Sequence, residues 1–136
     1  VEADDKFAVA GGNVCAIAQS RGIKGFVIDG VIRDIAETRD NAFPVFARGV
    51  VPKPGAKKCI SPLNQPISCG GVTVEGGDII VADEEGIAVI PQAEALGAFE
   101  IAKQRADKDS AMSLEQWQAE HSEKVESILA KLGYED

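Results

Sequence analysis

The dipeptide Arg33-Asp34 places a fixed cation beside a carboxylate. It follows the apolar run Phe26–Ile28, which is typical of a strand buried on both faces, and the turn signal Asp29-Gly30, which we expect to end that strand. In α/β proteins, ligands collect at the carboxyl ends of such strands. We therefore expect any chemistry of this chain to take place at Arg33 and Asp34.

A purely structural explanation of the same pair also stays open. Asp34 can serve as the N-cap of the short helix predicted after it, with Glu37 three residues later at the capping-box position. Arg33 is then an ordinary surface arginine. The dipeptide recurs at Arg39-Asp40 within that helix, so the pair is not diagnostic without its setting.

A second stretch that could contact a ligand is Gly11–Val14. Apolar residues recur at helical spacing from Val14, and Arg21-Gly22 is typical of a helix end, so the pattern predicts a helix over Gly12–Arg21. The two glycines allow close approach of the backbone, and the first N–H groups of a helix attract anions. The alternative is a tight loop with Asn13 as the N-cap.

The elements that must position these residues are short strands followed by helices. Strands are predicted at Gly25–Asp29 and Pro44–Ala47, and the proline-rich segment Val51–Pro66 is predicted to be an irregular loop. Alternation and turn signals then predict three strands, Val72–Val74, Ile79–Ala82 and Ile87–Ile90. This order predicts an α/β or α+β class.

Two helices are predicted to close the chain, the first over Ala93–Asp109 and the second from Ser113, with Gln116 at the capping-box position. The second helix carries an apolar stripe that includes Trp117 and His121. Because little core remains for a helix of this length, we expect the stripe to lie against a neighbouring subunit. His121 is then a packing residue rather than a catalytic one.

Composition narrows the class of protein. A chain of 136 residues is one domain by length, and its net charge of −8 argues against nucleic acid or an anionic membrane as a partner. The start Val1–Lys6 is acidic and lacks the basic region and apolar region typical of a signal peptide, and no apolar run is long enough to cross a membrane. Three cysteines without a CxxC pair, and a single histidine, indicate a reduced cytoplasmic setting and argue against a zinc site.

Three separated motifs resemble the RraA-like family in order and spacing: AGGNVCAIAQSRGIKGFVIDGVIRD, FPVFARG and PISCGGVTVEGGDIIVADEEGIAVIP. That family includes class II 4-hydroxy-4-methyl-2-oxoglutarate and 4-carboxy-4-hydroxy-2-oxoadipate aldolases and the regulator of ribonuclease activity A. The resemblance covers about Phe7–Pro91. It implies one α/β domain over residues 1–136, a swivelling β/β/α domain that lacks its N-terminal part and has a C-terminal two-helix extension over residues 92–136. It also implies a homotrimer or hexamer with active sites at subunit clefts.

The resemblance assigns roles residue by residue. Arg33 matches the arginine that holds the pyruvyl carboxylate, and Asp34 matches the carboxylate that anchors a divalent metal, Mg²⁺ or Mn²⁺. The loop whose backbone amides face the substrate corresponds to Gly11, Gly12, Asn13 and Val14. The physics is consistent, because magnesium needs only one or two protein carboxylates and acts as a Lewis acid toward a forming enolate.

The implied function is a metal-dependent lyase that cleaves 4-hydroxy-2-oxo acids, such as 4-hydroxy-4-methyl-2-oxoglutarate, to pyruvate, with oxaloacetate decarboxylation as a side activity. Family enzymes also draw an acid from a neighbouring subunit, and Glu120 and Glu123 are both candidates. The alternative is a non-catalytic regulator that binds a ribonuclease. Members of that branch can lack the aspartate, so the intact pair Arg33-Asp34 favours the enzyme.

Overall fold

The computed structural model describes residues 1–56 and 60–134, so Cys59 lies outside the described residues. The chain divides into two compact units, residues 1–91 and residues 92–136. In the described part of the chain, no helix has the length and apolarity needed to span a bilayer.

The first unit contains a parallel pair of strands that a short helix connects. Helix α1 covers Gly12–Ser20, strand β1 covers Phe26–Ile32, α2 covers Ile35–Asp40, and strand β2 covers Val45–Val50. Parallel strands cannot be joined by a tight hairpin, so the chain crosses from the end of β1 to the start of β2 through α2. The residues at the carboxyl end of β1 therefore lie where strand becomes helix.

The prediction that Asp29-Gly30 ends the first strand is wrong, because the strand continues through both residues. Ile28 pairs with Ala47 and Val31 with Gly49, so three steps along β1 match two along β2 and form a bulge. The Asp29 N–H donates to the Val1 carbonyl at 2.8 Å, and the Ala3 N–H donates to the Asp29 carbonyl at 3.1 Å, so this part of β1 is held extended. These long-range bonds outweigh the local turn preference.

Two antiparallel hairpins complete the first unit. Strands β3 (Ile67–Cys69) and β4 (Val72–Val74) pair around Gly70-Gly71, and β5 (Ile79–Ala82) pairs with β6 (Ile87–Ile90). The predicted bounds of β4, β5 and β6 are confirmed, because apolar β-formers stand between glycine- and aspartate-rich turns. The described strands form three two-stranded sheets.

The core lies between α1 and the parallel pair. One buried cluster contains Ala10, Ile28 and Ile32, and a second contains Cys15, Ala18 and Phe43. Phe26 and Val45 pack against both clusters, and the rings of Phe26 and Phe43 meet edge to face with centroids 5.0 Å apart. This packing holds α1 against β1 and so sets where the first turn of α1 lies.

The second unit consists of helices α3 (Ala95–Ala111) and α4 (Leu114–Lys131). The predicted capping box is confirmed, because the Gln116 N–H donates to Ser113 Oγ at 3.2 Å and the Ser113 N–H donates to Gln116 Oε1 at 3.0 Å. His121 stacks on Trp117, with ring centroids 4.7 Å apart. Contact of the apolar stripe with a neighbouring subunit stays a prediction, while the α/β class with two C-terminal helices is confirmed.

Candidate functional site

Main-chain hydrogen bonds bring the glycine turn to the end of β1. The Val9 N–H donates to the Val31 carbonyl at 2.9 Å, and the Arg33 N–H donates to the Ala10 carbonyl at 3.0 Å. The segment before α1 therefore runs alongside the last residues of β1. As a consequence, Gly11-Gly12 lies directly beside Arg33 and the residue after it.

Asp34 has a backbone conformation that few residues adopt. Its φ of 56° and ψ of 46° lie in the left-handed helical region, which aspartate tolerates better than most side chains do. Although Asp34 stands at the N-cap position of α2, its side chain makes no capping hydrogen bond there. Asp34 Oδ2 instead accepts a hydrogen bond from the Gly12 N–H at 3.3 Å. The capping box with Glu37, considered as an alternative, is therefore wrong.

The Arg33 guanidinium and the Asp34 carboxylate face each other, with Nε 3.4 Å from Oδ2. Their side chains are 42% and 37% exposed, so a small ligand can reach both groups. An ion pair this exposed contributes only about 0–1 kcal/mol to stability. The pair is thus placed where it can act on a ligand, and the fold depends on it little.

Both glycines are needed because side chains pack onto their Cα atoms. A Cβ at Gly11 would overlap Asp34 Oδ2 and lie 2.9 Å from Arg33 Cγ. A Cβ at Gly12 would overlap the Glu37 carboxylate and lie 2.7 Å from Glu37 Cβ. The groups that approach these glycines in the structure are the chain's own acidic side chains and Arg33, and the approach of a ligand stays a prediction.

Asn13 and Val14 lie in the first turn of α1, and both are exposed. Gly11 occupies the N-cap position, so the alternative that made Asn13 the N-cap is wrong. The first N–H groups of a helix have no partner within the helix. Since the Gly12 N–H is bonded to Asp34, those of Asn13 and Val14 are the groups of this turn that can receive a ligand's anionic oxygen.

The oxygen donors at this position fit a hydrated Mg²⁺ or Mn²⁺. In residues 1–56 and 60–134, no group of three histidine, cysteine, aspartate or glutamate side chains forms a metal cluster. Magnesium commonly binds one or two protein carboxylates and keeps several waters, so the exposed Asp34 carboxylate has the donor chemistry that such an ion takes.

The sequence did not indicate Glu37 as part of this site, since its spacing from Asp34 suggested only a cap. The prediction that a helix starts at Asp34 gave no indication that the Asp34 carboxylate contacts the start of α1. The glycine pair was the available signal, because it predicted a close approach without indicating which group approaches. Glu120, proposed as an acid for a neighbouring subunit, lies on α4 with Oε2 3.8 Å from Lys108 Nζ.

A separate polar cluster, also missed from the sequence, lies at the β1 bulge. Asp29 accepts hydrogen bonds from the Gly70 N–H at 2.8 Å and from Arg48 Nε, and its side chain is 12% exposed. Two hydrogen bonds lower the pKa of Asp29 below its ordinary value. The one from the Gly70 backbone has the larger effect, and the one from Arg48 has the next largest. The same interactions with Asp29 raise the pKa of Arg48.

Asp29 and Arg48 line an open cavity of about 660 Å³ between the parallel pair and the two hairpins. Most of its other lining residues are apolar, among them Val27, Phe46 and Ile80. Neither Arg33 nor Asp34 lines this cavity. The candidate site therefore lies outside this cavity, at the exposed junction of β1, α1 and α2.

Comparison with known proteins gives a consistent result. Residues 1–89 match the family model described as RraA-like, Aldolase/RraA. The chain is 42% identical over 104 residues to a Halalkalibacterium halodurans protein named "Putative 4-hydroxy-4-methyl-2-oxoglutarate aldolase", covering 76% of this chain and 50% of that protein. It is 33% identical over 85 residues to the 4-hydroxy-4-methyl-2-oxoglutarate aldolase of Thermus thermophilus, covering 62% and 52%.

A solved structure shows the same fold. The RNA-processing inhibitor RraA of Thermus thermophilus superposes with a TM-score of 0.64 at 31% identity, covering 68% of this chain and 57% of that one. The chain spans about half the length of the curated relatives it matches.

Proposed function

Because this chain belongs to the RraA-like family, we propose that it carries the pyruvate-binding site of a divalent-metal-dependent aldolase. The substrate class is 4-hydroxy-2-oxo acids such as 4-hydroxy-4-methyl-2-oxoglutarate, and the product is pyruvate. One observation carries the proposal. The Arg33 guanidinium, the Asp34 carboxylate and the first turn of α1 converge at one exposed position, although they come from two separate stretches of the chain.

Arg33 and the first turn of α1 bind the carboxylate of the substrate. A guanidinium presents its N–H groups as a planar fork that matches a carboxylate, which a lysine ammonium cannot do. The N–H groups of Asn13 and Val14 point from the positive end of the α1 dipole and add further donors. Together these groups orient the keto acid beside Asp34.

Asp34 would hold the divalent metal, with water completing the coordination. When bound there, Mg²⁺ supplies Lewis acidity that favours negative charge on the adjacent keto oxygen. The Gly12 N–H fixes the orientation of the Asp34 carboxylate through Oδ2, which leaves Oδ1 for a ligand. Gly11 permits this arrangement, since any larger residue would displace the Asp34 carboxylate.

Cleavage of the bond between C3 and C4 leaves an electron pair on the pyruvyl fragment, which becomes an enolate. Arg33 lies where its positive charge stabilises that fragment as the bond breaks. Removing one such donor from an active site typically costs about 3–4 kcal/mol of transition-state stabilisation. Oxaloacetate decarboxylation passes through the same enolate of pyruvate, so we expect it as a second activity of this site.

A second candidate function is regulation of a ribonuclease by direct binding. It is favoured by the structural similarity to the RNA-processing inhibitor RraA of Thermus thermophilus. A regulator would act through its surface and would not require Arg33 and Asp34 to converge. Inhibition of a purified ribonuclease that is unaffected by Arg33→Lys and Asp34→Asn, together with no release of pyruvate, would favour this function.

The proposal is tested by measuring pyruvate release from 4-hydroxy-4-methyl-2-oxoglutarate and from oxaloacetate, with and without Mg²⁺ or Mn²⁺. A blank without protein corrects for spontaneous decarboxylation. Arg33→Lys keeps the positive charge but loses the planar arrangement of N–H donors. It should lower both aldol cleavage and oxaloacetate decarboxylation. Arg39→Lys is a matched control, because Arg39-Asp40 repeats the dipeptide on the exposed surface of α2. Metal-independent activity, or equal activity in both variants, would refute the proposal.

A further inference from the structure

We infer that Glu37 accepts the proton of the substrate's 4-hydroxyl group during cleavage, an inference that rests on the proposed function. Glu37 lies in the first turn of α2, and its side chain is exposed. Its carboxylate packs onto the Cα of Gly12, where a side chain would otherwise be. The first turn of α1 is thus the part of the site that Glu37 borders.

Glu37 and Asp34 approach neighbouring residues of the same glycine turn. The absent side chain of Gly11 leaves room for Asp34 Oδ2, and that of Gly12 leaves room for the Glu37 carboxylate. Consecutive Cα atoms are about 3.8 Å apart, so the two carboxylates lie over adjacent steps of one backbone turn. The Glu37 carboxylate therefore borders the same glycine turn that Asp34 borders, the turn beside which we place the substrate.

The two carboxylates differ in their partners. Asp34 is engaged by Arg33 Nε and by the Gly12 N–H. Within residues 1–56 and 60–134, Glu37 forms no ion pair with a lysine or an arginine. A carboxylate that is positioned by packing and not occupied by a cation keeps its oxygen lone pairs for the proton of a substrate hydroxyl.

The reaction needs such a base at one step only. The proton of the 4-hydroxyl passes to the Glu37 carboxylate, and the electron pair of that O–H bond forms the C4 carbonyl. The bond between C3 and C4 breaks, and its electron pair goes to the pyruvyl fragment as an enolate. Return of a proton to C3 gives pyruvate, so 4-hydroxy-4-methyl-2-oxoglutarate yields two molecules of pyruvate with no oxidant or reductant.

Oxaloacetate provides the discriminating substrate, because it loses carbon dioxide and has no hydroxyl proton to remove. Glu37→Gln keeps the shape and removes the basic carboxylate, so the ratio of aldol cleavage to decarboxylation should fall by about 10²-fold or more. Glu37→Asp, which keeps a carboxylate, should restore part of that ratio. Asp40→Asn, an exposed aspartate at the end of α2, should leave the ratio unchanged.

A Glu37→Gln variant that loses both activities in proportion would overturn the assignment, since the residue would then act on a step that both substrates share. An unchanged ratio would overturn it as well. Wild-type protein without either activity would refute the aldolase proposal itself, so the two failures are distinguishable. Thermal unfolding of each variant shows that the fold is retained.

Discussion

The carboxylate of Asp34 accepts a hydrogen bond from the backbone N–H of Gly12 at 3.3 Å, across 22 residues of sequence. An aspartate at the start of α2 thereby satisfies a donor at the start of α1. Negative charge at a helix N-terminus is favoured by the helix dipole, so the Asp34 carboxylate suits the start of α1 electrostatically. The same bond orients the carboxylate toward Arg33, and the proposed chemistry depends on this orientation.

Asp34→Asn tests the charge of that carboxylate separately from its shape. Asparagine tolerates a positive φ and can still accept the hydrogen bond from Gly12, so stability should change by less than about 1 kcal/mol. Release of pyruvate should fall by about 10²-fold or more, and Mn²⁺ measured by electron paramagnetic resonance should bind more weakly. Asp40→Asn is the control, and equal activity and metal affinity in the two variants would contradict the assigned role.

Gly11→Ala tests the close approach at the site. The added methyl group would overlap the Asp34 carboxylate, so we expect a loss of about 1–3 kcal/mol in the free energy of unfolding and loss of activity. Gly97→Ala is the matched control, since nothing lies within 4 Å of its Cβ position in α3. That change should stabilise α3 by about 0.5–1 kcal/mol, as measured by urea denaturation. Similar effects at both positions would exclude a steric requirement at Gly11.

Asp29 should make the stability of the fold sensitive to acid. Its pKa is lowered in the folded chain, so its stabilising contribution is present above its unfolded pKa, about 4. The contribution is lost as pH falls from that value toward the lower folded pKa. The urea midpoint of the wild type should therefore drop more steeply below about pH 4 than that of Asp29→Asn. Asp107→Asn, on the exposed surface of α3, should follow the wild-type curve, and parallel curves for wild type and Asp29→Asn would refute the prediction.

Ser113→Ala should destabilise the start of α4. It removes the acceptor for the Gln116 N–H, a loss that typically costs about 1 kcal/mol. Far-ultraviolet circular dichroism should show reduced helicity, and amide hydrogen exchange should become faster in the first turn of α4 and not in β1. Ser122→Ala, on an exposed position in the body of α4, is the control. Exchange that is unchanged at the start of α4 would show that the capping box does not stabilise this helix.

Short-range patterns predicted those parts of the fold that short-range forces determine. The bounds of β4, β5 and β6 follow from alternating apolar residues between turn-forming ones, and the capping box at Ser113 involves residues only three apart. The convergence of Arg33 with Asp34 was predicted from their adjacency and from the family motifs. Their catalytic and metal-binding roles remain predictions.

The bulge in β1 was beyond the reach of such patterns. Asp29-Gly30 has the composition of a turn, yet Asp29 is held extended by backbone bonds to Val1 and Ala3 and by side-chain bonds to Arg48 and Gly70. These partners are distant in sequence, and only their combined strength outweighs the local preference. For the same reason, the sequence could not decide whether the Asp34 side chain caps α2. In the structure it accepts a hydrogen bond from Gly12 at the start of α1 instead.

The sequence by itself determined the bounds of β4, β5 and β6 and the capping box of α4, and it showed that the chain resembles the RraA-like family. The tertiary structure alone decided that the Asp34 carboxylate meets Gly12, that Glu37 lies over the same turn, and that β1 continues through Asp29. The physical reason is that backbone propensity and side-chain spacing act over a few residues. Contacts between α1, β1 and α2 depend instead on how the core packs, which no single stretch of the sequence specifies.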